Sequence, residues 1–318
     1  MRNLGVRPAN GGDVAQILEV LRLALGEPVL LRRTEALWDW KHQSNPFGES
    51  LILVAESEGR IVGVRALMRW ELKTPTGSTL KCLRPVDTAT HPDFARRGVF
   101  KELTMSAIEI ARSEGVDLVF NTPNSKSRPG YLKMGWTDVG PIGVLVRPRL
   151  GRALKPNGSG PPTIAEAAPQ LDPLEGVAPV AIDREPRGLR TPREPKYVSW
   201  RFTQHPTARY GWLSDGKGSG LVARVGVRMM RTELVISDLI GVTEASVVRR
   251  AAAQAMTRYL AGWFSRRTPE RRAAILGGMI PVPGLRTLNL VALPISELDF
   301  DVFDLDSWDL STSDLELL

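Results

Sequence analysis

The spacing of apolar residues predicts helices that alternate with strands along much of the chain. Apolar residues recur at helical spacing from Val99 onward, so we expect a helix that begins close to Gly98 and ends at Gly115. Two earlier helices are expected, one after each of the cap residues Asp13 and Thr34. Apolar runs predict strands at residues 4–7, 51–55, 61–68, 79–90, 116–120, 136–139 and 142–146. Helices combined with a mixed sheet predict an α/β or α+β fold class.

A loop rich in arginine and glycine separates the strand at 79–90 from the helix that follows it. Arg96, Arg97 and Gly98 lie directly before the first helical residue. The first backbone N–H groups of a helix have no intrahelical partner, and they point outward at the positive end of the helix dipole. Glycine lets a phosphate approach the backbone closely, and the two arginines add positive charge. The stretch therefore predicts a site for an anion.

The same stretch resembles motif A of the GNAT superfamily, the acetyl-CoA-dependent N-acetyltransferases. In that family a loop of the form Arg/Gln-x-x-Gly-x-Gly/Ala cradles the pyrophosphate of coenzyme A. The matching residues here are Ala95, Arg96, Arg97, Gly98, Val99 and Phe100. Two of them depart from the pattern, since Ala95 replaces the first Arg or Gln and Phe100 replaces a small residue. The resemblance implies the GNAT acyl-CoA N-acyltransferase fold and acetyl-CoA as cosubstrate.

A second stretch, residues 124–136, resembles the GNAT pattern Asn-x6-Tyr-x-x-x-Gly-Phe. By this resemblance Asn124 contacts the pantetheine arm, and Tyr131 protonates the departing thiolate. The chemistry is reasonable because a phenol beside the sulfur can donate a proton. The alternative is that Tyr131 is a packing residue. Pro129-Gly130 is expected to break the helix before this tyrosine.

The resemblance also implies which groups hold the thioester. The backbone of Ala89, Thr90 and His91 would pair with pantetheine and present an N–H to the thioester carbonyl. Asp87 is an unusual carboxylate within an apolar strand, so it is the candidate general base; alternatively it bonds a neighbouring loop. His91 is a less favoured candidate for the base. Neither a histidine–carboxylate cluster for a metal nor a nucleophile triad is present, which favours direct transfer in a ternary complex.

Composition adds limits on size and compartment. The 318 residues suit two domains, and 42% hydrophobic with 24% charged residues is ordinary for a soluble globular protein. The lone Cys82 excludes an internal disulfide, indicates a reducing compartment and is expected to be buried. No apolar run reaches membrane-spanning length or forms a signal-peptide core. These features predict a cytoplasmic protein without a membrane partner.

The formal charge of +7 is unevenly distributed, because residues 296–318 hold eight acidic residues and no basic one. Elsewhere the arginines are scattered without an aromatic-basic platform, which argues against nucleic-acid binding. Near the end, Glu297, Asp299 and Asp301 alternate with apolar residues and predict a strand with one solvated face. The alternative is that Asp314, Glu316 or the carboxylate of Leu318 folds back toward the cleft and receives a cationic substrate, since some tandem GNAT proteins use the terminal carboxylate as base.

The chain also repeats itself. Trp40-Lys41 and Asn45-Pro46 have counterparts at the same spacing in Trp200-Arg201 and His205-Pro206. These matches favour a distant duplication, in which the second copy lacks the arginine–glycine loop and does not bind coenzyme A. The predicted domains are an N-terminal GNAT acetyltransferase domain at 1–147, a Pro-rich linker at 148–190 and a degenerate GNAT-like domain at 191–318.

Taken together, the residues predict an N-acetyltransferase that acts on a primary amine of a small molecule or peptide. One alternative is a non-catalytic acyl-CoA-binding or scaffold protein of the same fold. Another is a Fem-type transferase that uses aminoacyl-tRNA, although such proteins generally lack the pyrophosphate loop. The expected partners are the amine substrate and, as an open alternative, a second copy of the chain.

Overall fold

In this computed structural model, the structure describes residues 4–27, 32–149, 153–155, 162–174, 184–228, 230–241, 244–285 and 287–315. The first half contains β1 (Gly5–Pro8), α1 (Val14–Leu25), α2 (Glu35–His42), β2 (Leu51–Ser57), β3 (Arg60–Lys73), β4 (Thr79–Thr90), α3 (Val99–Ser113), β5 (Leu118–Asn121), α4 (Arg128–Lys133), β6 (Thr137–Ile142) and β7 (Val144–Pro148). The strands and helices expected in this half are present, and Thr34 caps α2 as predicted.

The second half repeats the order of the first. It contains α5 (Ile164–Ala167), β8 (Asp172–Pro173), α6 (Pro195–Val198), β9 (Tyr210–Ser214), β10 (Gly220–Arg228), β11 (Arg231–Ile240), α7 (Ala245–Gln254), β12 (Tyr259–Trp263), α8 (Pro269–Leu276), β13 (Ile280–Pro281), β14 (Leu288–Pro294) and α9 (Thr312–Leu315). A π-helical turn, Ser199–Thr203, continues α6. The strand β11 corresponds to β4, and α7 corresponds to α3. Helix α7 ends at Gln254, and Tyr259 begins β12.

Two seven-stranded mixed sheets form the framework, with strand orders β1-β2-β3-β4-β5-β14-β6 and β13-β7-β12-β11-β10-β9-β8. In each sheet one neighbouring pair is parallel, β4 with β5 and β11 with β12. The mixed α/β fold class is confirmed.

The strand predicted around Glu297, Asp299 and Asp301 is wrong: residues 295–304 are irregular, and the Asp301 carboxylate accepts the backbone N–H of Phe303. Only a few apolar side chains of this segment pack into the core, such as the buried Val302.

The two halves exchange strands. β14 comes from the end of the chain, yet it lies between β5 and β6 and pairs antiparallel with both. β7 follows β6 directly, but it pairs with β12 and β13 of the second sheet. Strand β7, predicted at 142–146, therefore does not belong to the first sheet, because the chain passes into the other sheet at Gly143. Each sheet needs a strand from the other half to be complete.

A reciprocal tryptophan pair joins the halves. Trp40 and Trp200 stack with ring centres 4.7 Å apart and an interplanar angle of 11°. Each indole Nε1 donates to the backbone carbonyl oxygen of the other residue, at 2.8 Å in both directions. Both residues are buried in the core cluster between the two sheets. This local two-fold arrangement uses the two residues whose repeated context predicted a duplication.

Helix α3 packs closely on β3 because β3 carries a glycine there. A Cβ added at Gly63 would lie 2.6 Å from Val99 Cγ1 and 3.1 Å from Leu103 Cδ1. Because Gly63 has no side chain, the N-terminus of α3 packs directly on the sheet. The arginine–glycine loop lies next to this helix end. Overpacked core positions typically cost about 1–3 kcal/mol.

We therefore predict that Gly63→Val lowers the free energy of unfolding by about 1–3 kcal/mol, measured by urea denaturation. Gly5→Val in β1 is the matched control, since nothing lies within 4 Å of a Cβ at Gly5. Equal stability losses in the two variants would contradict the close packing of α3 on β3.

Candidate active site

The arginine–glycine loop is an open helix N-terminus. Residues 95–98 are exposed, and Gly98 is the N-cap of α3 with φ +85°, a left-handed conformation. No side chain caps this helix, whereas threonines cap α2 and α8. Nothing lies within 4 Å of a Cβ placed at Gly98. The first amides of α3 are therefore available to an anion.

Neither Arg96 nor Arg97 forms an ion pair with a described residue. Arg96 adopts φ +61°, an uncommon conformation for a residue with a side chain. The Arg97 guanidinium lies 4.9 Å from the centre of the Phe94 ring. Both side chains are exposed beside the uncapped helix, so they can add charge-assisted hydrogen bonds to a bound phosphate.

A β-bulge separates β4 from β5 next to this loop. Thr88 pairs with Arg65 and Val86 pairs with Ala66, so Asp87 is the extra residue in β4. β4 and β5 pair only at Cys82 and Leu83, and beyond these residues no strand of the described ranges lies beside that edge of β4. A bulge bends its strand and increases the twist, which accounts for the divergence.

The end of β4 presents backbone groups to the open edge. The His91 N–H donates to the Val62 carbonyl oxygen at 2.8 Å, on the β3 side. Because backbone groups alternate in direction along a strand, Thr90 points its N–H and C=O toward the open edge, and Ala89 points back toward β3. The His91 side chain is buried, and its Nδ1 accepts the Asp93 N–H while Nε2 lies 2.8 Å from Arg60 Nη2. His91 thus stabilises the turn into the loop.

Tyr131 lies in the core beneath this edge. Its hydroxyl accepts a hydrogen bond from Arg65 Nη1 at 2.8 Å, and the residue is 3% exposed. The expectation that Pro129-Gly130 breaks the helix is wrong: α4 spans Arg128–Lys133 with Pro129 in its first turn, where a missing N–H costs nothing. Tyr131 is therefore placed by a helix.

Phe100 and Gly130 are a matched pair. The Phe100 ring lies edge-on to Tyr131 with centres 5.7 Å apart, and a Cβ at Gly130 would be 3.1 Å from Phe100 Cε1. The large residue on α3 is accommodated because α4 has no side chain at the facing position. Phe100 thus packs against α4, and its backbone remains part of the open helix terminus.

Asn124 holds the turn between β5 and α4. Its Oδ1 accepts the backbone N–H groups of Lys126 and Ser127, both at 3.0 Å. The residue is exposed, and its side-chain carbonyl is engaged within the turn. A contact between Asn124 and pantetheine stays a prediction.

Asp87 is held by an ion pair across the sheet. Its Oδ2 accepts from Lys41 Nζ at 2.8 Å and lies 3.2 Å from His42 Nε2. Burial alone would raise the pKa of the Asp87 carboxyl, but Lys41 and His42 outweigh burial and hold that pKa well below its ordinary value. A carboxylate held in its charged form is a weak proton acceptor. Its role as base stays a prediction.

The corresponding divergence in the second half is filled by the chain itself. β11 is bulged at Ser237, as β4 is at Asp87. Between the ends of β11 and β12, the Thr312 hydroxyl accepts the Trp263 N–H at 2.8 Å and Ser313 Oγ donates to Asp238 at 2.8 Å. Residues 310–314 are all buried here. Residues 310–314 thus fill the gap between β11 and β12, and the corresponding gap between β4 and β5 in the first half is open.

One of the acidic residues near the C-terminus, Asp314, belongs to the buried segment 310–314. Asp314 is fully buried and pairs with Arg193 Nη2 at 2.7 Å. Burial would raise the pKa of the Asp314 carboxyl, but the arginine outweighs it and lowers that pKa overall. Asp314 is therefore not available to a substrate. Glu316 and Leu318 lie outside the described residues.

Comparison with known proteins identifies the architecture. A family model described as an acetyltransferase (GNAT) domain matches residues 5–139. Residues 5–139 therefore resemble a GNAT acetyltransferase domain. The match covers the uncapped loop, the bulged strand and Tyr131. No curated protein sequence matches the chain.

Solved structures extend the likeness to both halves. A GCN5-related N-acetyltransferase from Anabaena variabilis has a TM-score of 0.61 and 11% identity, covering 92% of this chain and 73% of its own. Eis1 from Mycobacterium abscessus has a TM-score of 0.59 and 13% identity, covering 92% and 74%. A tandem GNAT protein from the clavulanic acid biosynthesis pathway has a TM-score of 0.53 and 14% identity, covering 93% and 100%. The chain has a GNAT fold in two tandem copies.

No group of histidine, cysteine or carboxylate side chains in the described ranges has an arrangement suited to a metal ion. Among the helices of the same ranges, none is both long and apolar enough to cross a membrane.

Sequence reasoning missed three contacts around the site. Arg65 reaches Tyr131 across 66 positions of sequence, and Lys41 with His42 reaches Asp87 across 46 and 45. Arg65 within the apolar strand 61–68 indicates such a contact, since a charged residue in a buried strand needs a partner.

The Asp87 ion pair predicts a pH-dependent stability difference. A depressed carboxyl pKa contributes stability that is complete above the unfolded value, near 4, and is lost as the pH falls below it. We predict that Asp87→Asn costs about 2 kcal/mol at pH 7, measured by urea denaturation.

This penalty should stay constant from pH 7 to about pH 5 and shrink below about pH 4, by up to about 1.4 kcal/mol per pH unit. Glu109→Gln is a control, because its partner Arg112 forms only an exposed pair. A penalty for Asp87→Asn that does not change as the pH falls through 4 would contradict the ion pair.

Proposed function

We propose that this protein transfers the acetyl group of acetyl-CoA to a primary amine of a small molecule or peptide, in a ternary complex. The observation that carries this proposal is the uncapped N-terminus of α3 beside the open edge of β4, with Tyr131 beneath it. The GNAT domain supports acyl transfer as the reaction class. The reducing environment suggested by the lone Cys82 fits a cytoplasmic reaction.

Acetyl-CoA fits the residues that are present. Its diphosphate would be held by the amides of Gly98, Val99 and Phe100 and by the side chains of Arg96 and Arg97. Gly98 leaves room for a phosphate, since a Cβ there would meet no atom within 4 Å. The cosubstrate supplies an activated thioester. The backbone of Thr90, flanked by Ala89 and His91, would present an N–H to the thioester carbonyl and polarise it.

Proton transfer is assigned to the chain as follows. The Tyr131 hydroxyl would donate its proton to the departing sulfur. Asp87 lies at the bulge on the face toward α2, where an acceptor amine would approach, and its negative charge would attract an ammonium group. Because its pKa is held low, we assign it to binding and orienting the amine more than to removing the proton.

The functional unit of the proposal is the first half, residues 1–147, completed by β14. We propose that the second half, beyond the connector at 148–190, binds no coenzyme A, because residues 310–314 occupy its divergent strands. A non-catalytic protein that binds acyl-CoA is the alternative. It would bind acetyl-CoA in the same loop but release no thiol with any amine.

The cofactor site is tested by Gly98→Glu. We predict that calorimetric titration of acetyl-CoA shows one site per chain and that Gly98→Glu abolishes binding, since the new carboxylate repels the diphosphate. Gly77→Glu is the matched control, because Gly77 also has a positive φ, +90°, and free space around its Cβ position. Binding that survives Gly98→Glu, or a stoichiometry of two, would contradict the site.

Tyr131→Phe tests proton donation. The variant should lower kcat by about 10²- to 10⁴-fold, the usual contribution of general acid–base catalysis, while the acetyl-CoA Kd stays within about twofold. Thiol release measured with the best substrate of an amine panel gives kcat. A variant with unchanged kcat would remove Tyr131 from the mechanism.

A further inference from the structure

Arg65 is a fully buried cation. The residue on β3 is 0% exposed, and no carboxylate pairs with it among the described residues. Neither its Nε nor its Nη2 has a hydrogen-bond partner in the part of the chain that the structure describes. Burying an unpaired charge is unfavourable, and a methionine would fill the same space without that cost. Packing alone therefore does not explain an arginine at this position.

The contacts of Arg65 converge on the candidate acid. Nη1 donates to Tyr131 Oη at 2.8 Å and to Thr88 Oγ1 at 3.1 Å. The guanidinium carbon lies 5.1 Å from the centre of the Tyr131 ring and 5.3 Å from that of Phe100. Thr88 in turn donates to the Val86 carbonyl oxygen at 2.7 Å, which ties this arrangement to the bulge. One guanidinium thus links β3, β4 and α4.

We propose that Arg65 is the positioning residue that aims the Tyr131 hydroxyl proton and stabilises negative charge at the thioester sulfur. This inference rests on the proposed function. An arginine only donates hydrogen bonds, so Tyr131 Oη accepts from Arg65 and must send its own proton elsewhere. The hydroxyl proton is therefore available to an acceptor on the side of Tyr131 Oη away from Arg65.

The reaction step balances as follows. The amine nitrogen forms a bond to the acyl carbon, and the carbon–sulfur bond breaks with its electron pair on sulfur. Sulfur takes the proton of Tyr131 Oη, which leaves a phenolate beside Arg65. The nitrogen gives one proton to water, and the phenolate takes one from water. The products are the amide and free coenzyme A, and the unpaired cation faces the negative charge on sulfur and then on oxygen.

The first test needs no acceptor amine. Coenzyme A and desulfo-CoA are titrated at pH 9, where a substantial part of the free thiol is thiolate. We expect the wild type to bind coenzyme A about tenfold more tightly than desulfo-CoA, as for a hydrogen bond to a charged group. Arg65→Met should lose this preference while binding desulfo-CoA as the wild type does.

Arg84→Met is the matched control. Arg84 is also buried on the first sheet, with unpaired Nε and Nη1 and with aromatic rings of Trp70 and Phe120 beside it. It makes no contact with Tyr131 in the described structure, so its variant should keep the preference for coenzyme A. Arg65→Lys keeps the charge and should keep part of the preference.

A double-mutant cycle on kcat separates positioning from packing. Arg65→Met should lower kcat at least tenfold in the wild type and less than twofold in a Tyr131→Phe background, because it acts through that hydroxyl. Tm of Arg65→Met should equal or exceed that of the wild type, since apolar replacement of a buried charge is well tolerated.

The results that overturn the inference are distinct from those that overturn the function. If wild-type protein binds neither ligand, the acetyltransferase proposal fails. If wild type and Arg65→Met bind both ligands with the same ratio, or if Arg65→Met lowers kcat equally in both backgrounds, the acetyl-CoA site stands and the role of Arg65 fails.

Discussion

The extra residue in β4 is the constraint on which the site depends. Because Asp87 has no partner in β3, β4 bends, and its pairing with β5 ends after Leu83. The open edge that results is the place where Thr90 can present its backbone to a ligand. A bulge that places a charged residue within an apolar sheet is costly, and the Lys41 and His42 contacts stabilise it. The same ion pair holds the pKa of the Asp87 carboxyl well below its ordinary value, so the carboxylate stays charged.

The gap between the diverging strands differs between the two copies of the fold. In the first half, helix α3 has no cap, and the divergent strands have an accessible edge. In the second half, buried residues 310–314 bond to Trp263 and Asp238 at the equivalent place. The second copy therefore contributes structure: it supplies β14 to the first sheet and the Trp200 partner of Trp40. The first sheet thus depends on an intact second half.

The parts of this structure that follow from local pattern could be predicted from the sequence. The strand, loop and helix around Gly98 obey local rules of capping and periodicity, and the repeated tryptophans pointed to the tandem arrangement. The exchange of β7 and β14 could not be predicted, because short apolar strands fit either sheet equally well. The contact between Arg65 and Tyr131 depends on how β3 and α4 pack, which no spacing encodes. Glu297, Asp299 and Asp301 alternate as in a strand, yet no neighbouring strand edge receives them.

Hydrogen–deuterium exchange with and without acetyl-CoA tests the central claim most directly. If the first half alone holds the cosubstrate, the ligand should slow exchange of the backbone amides in the loop 95–100 and at the end of β4, residues 88–91. The amides of α7, the counterpart helix at Ala245–Gln254, should exchange at an unchanged rate. Protection confined to α7 and β11, or protection in neither half, would contradict the account.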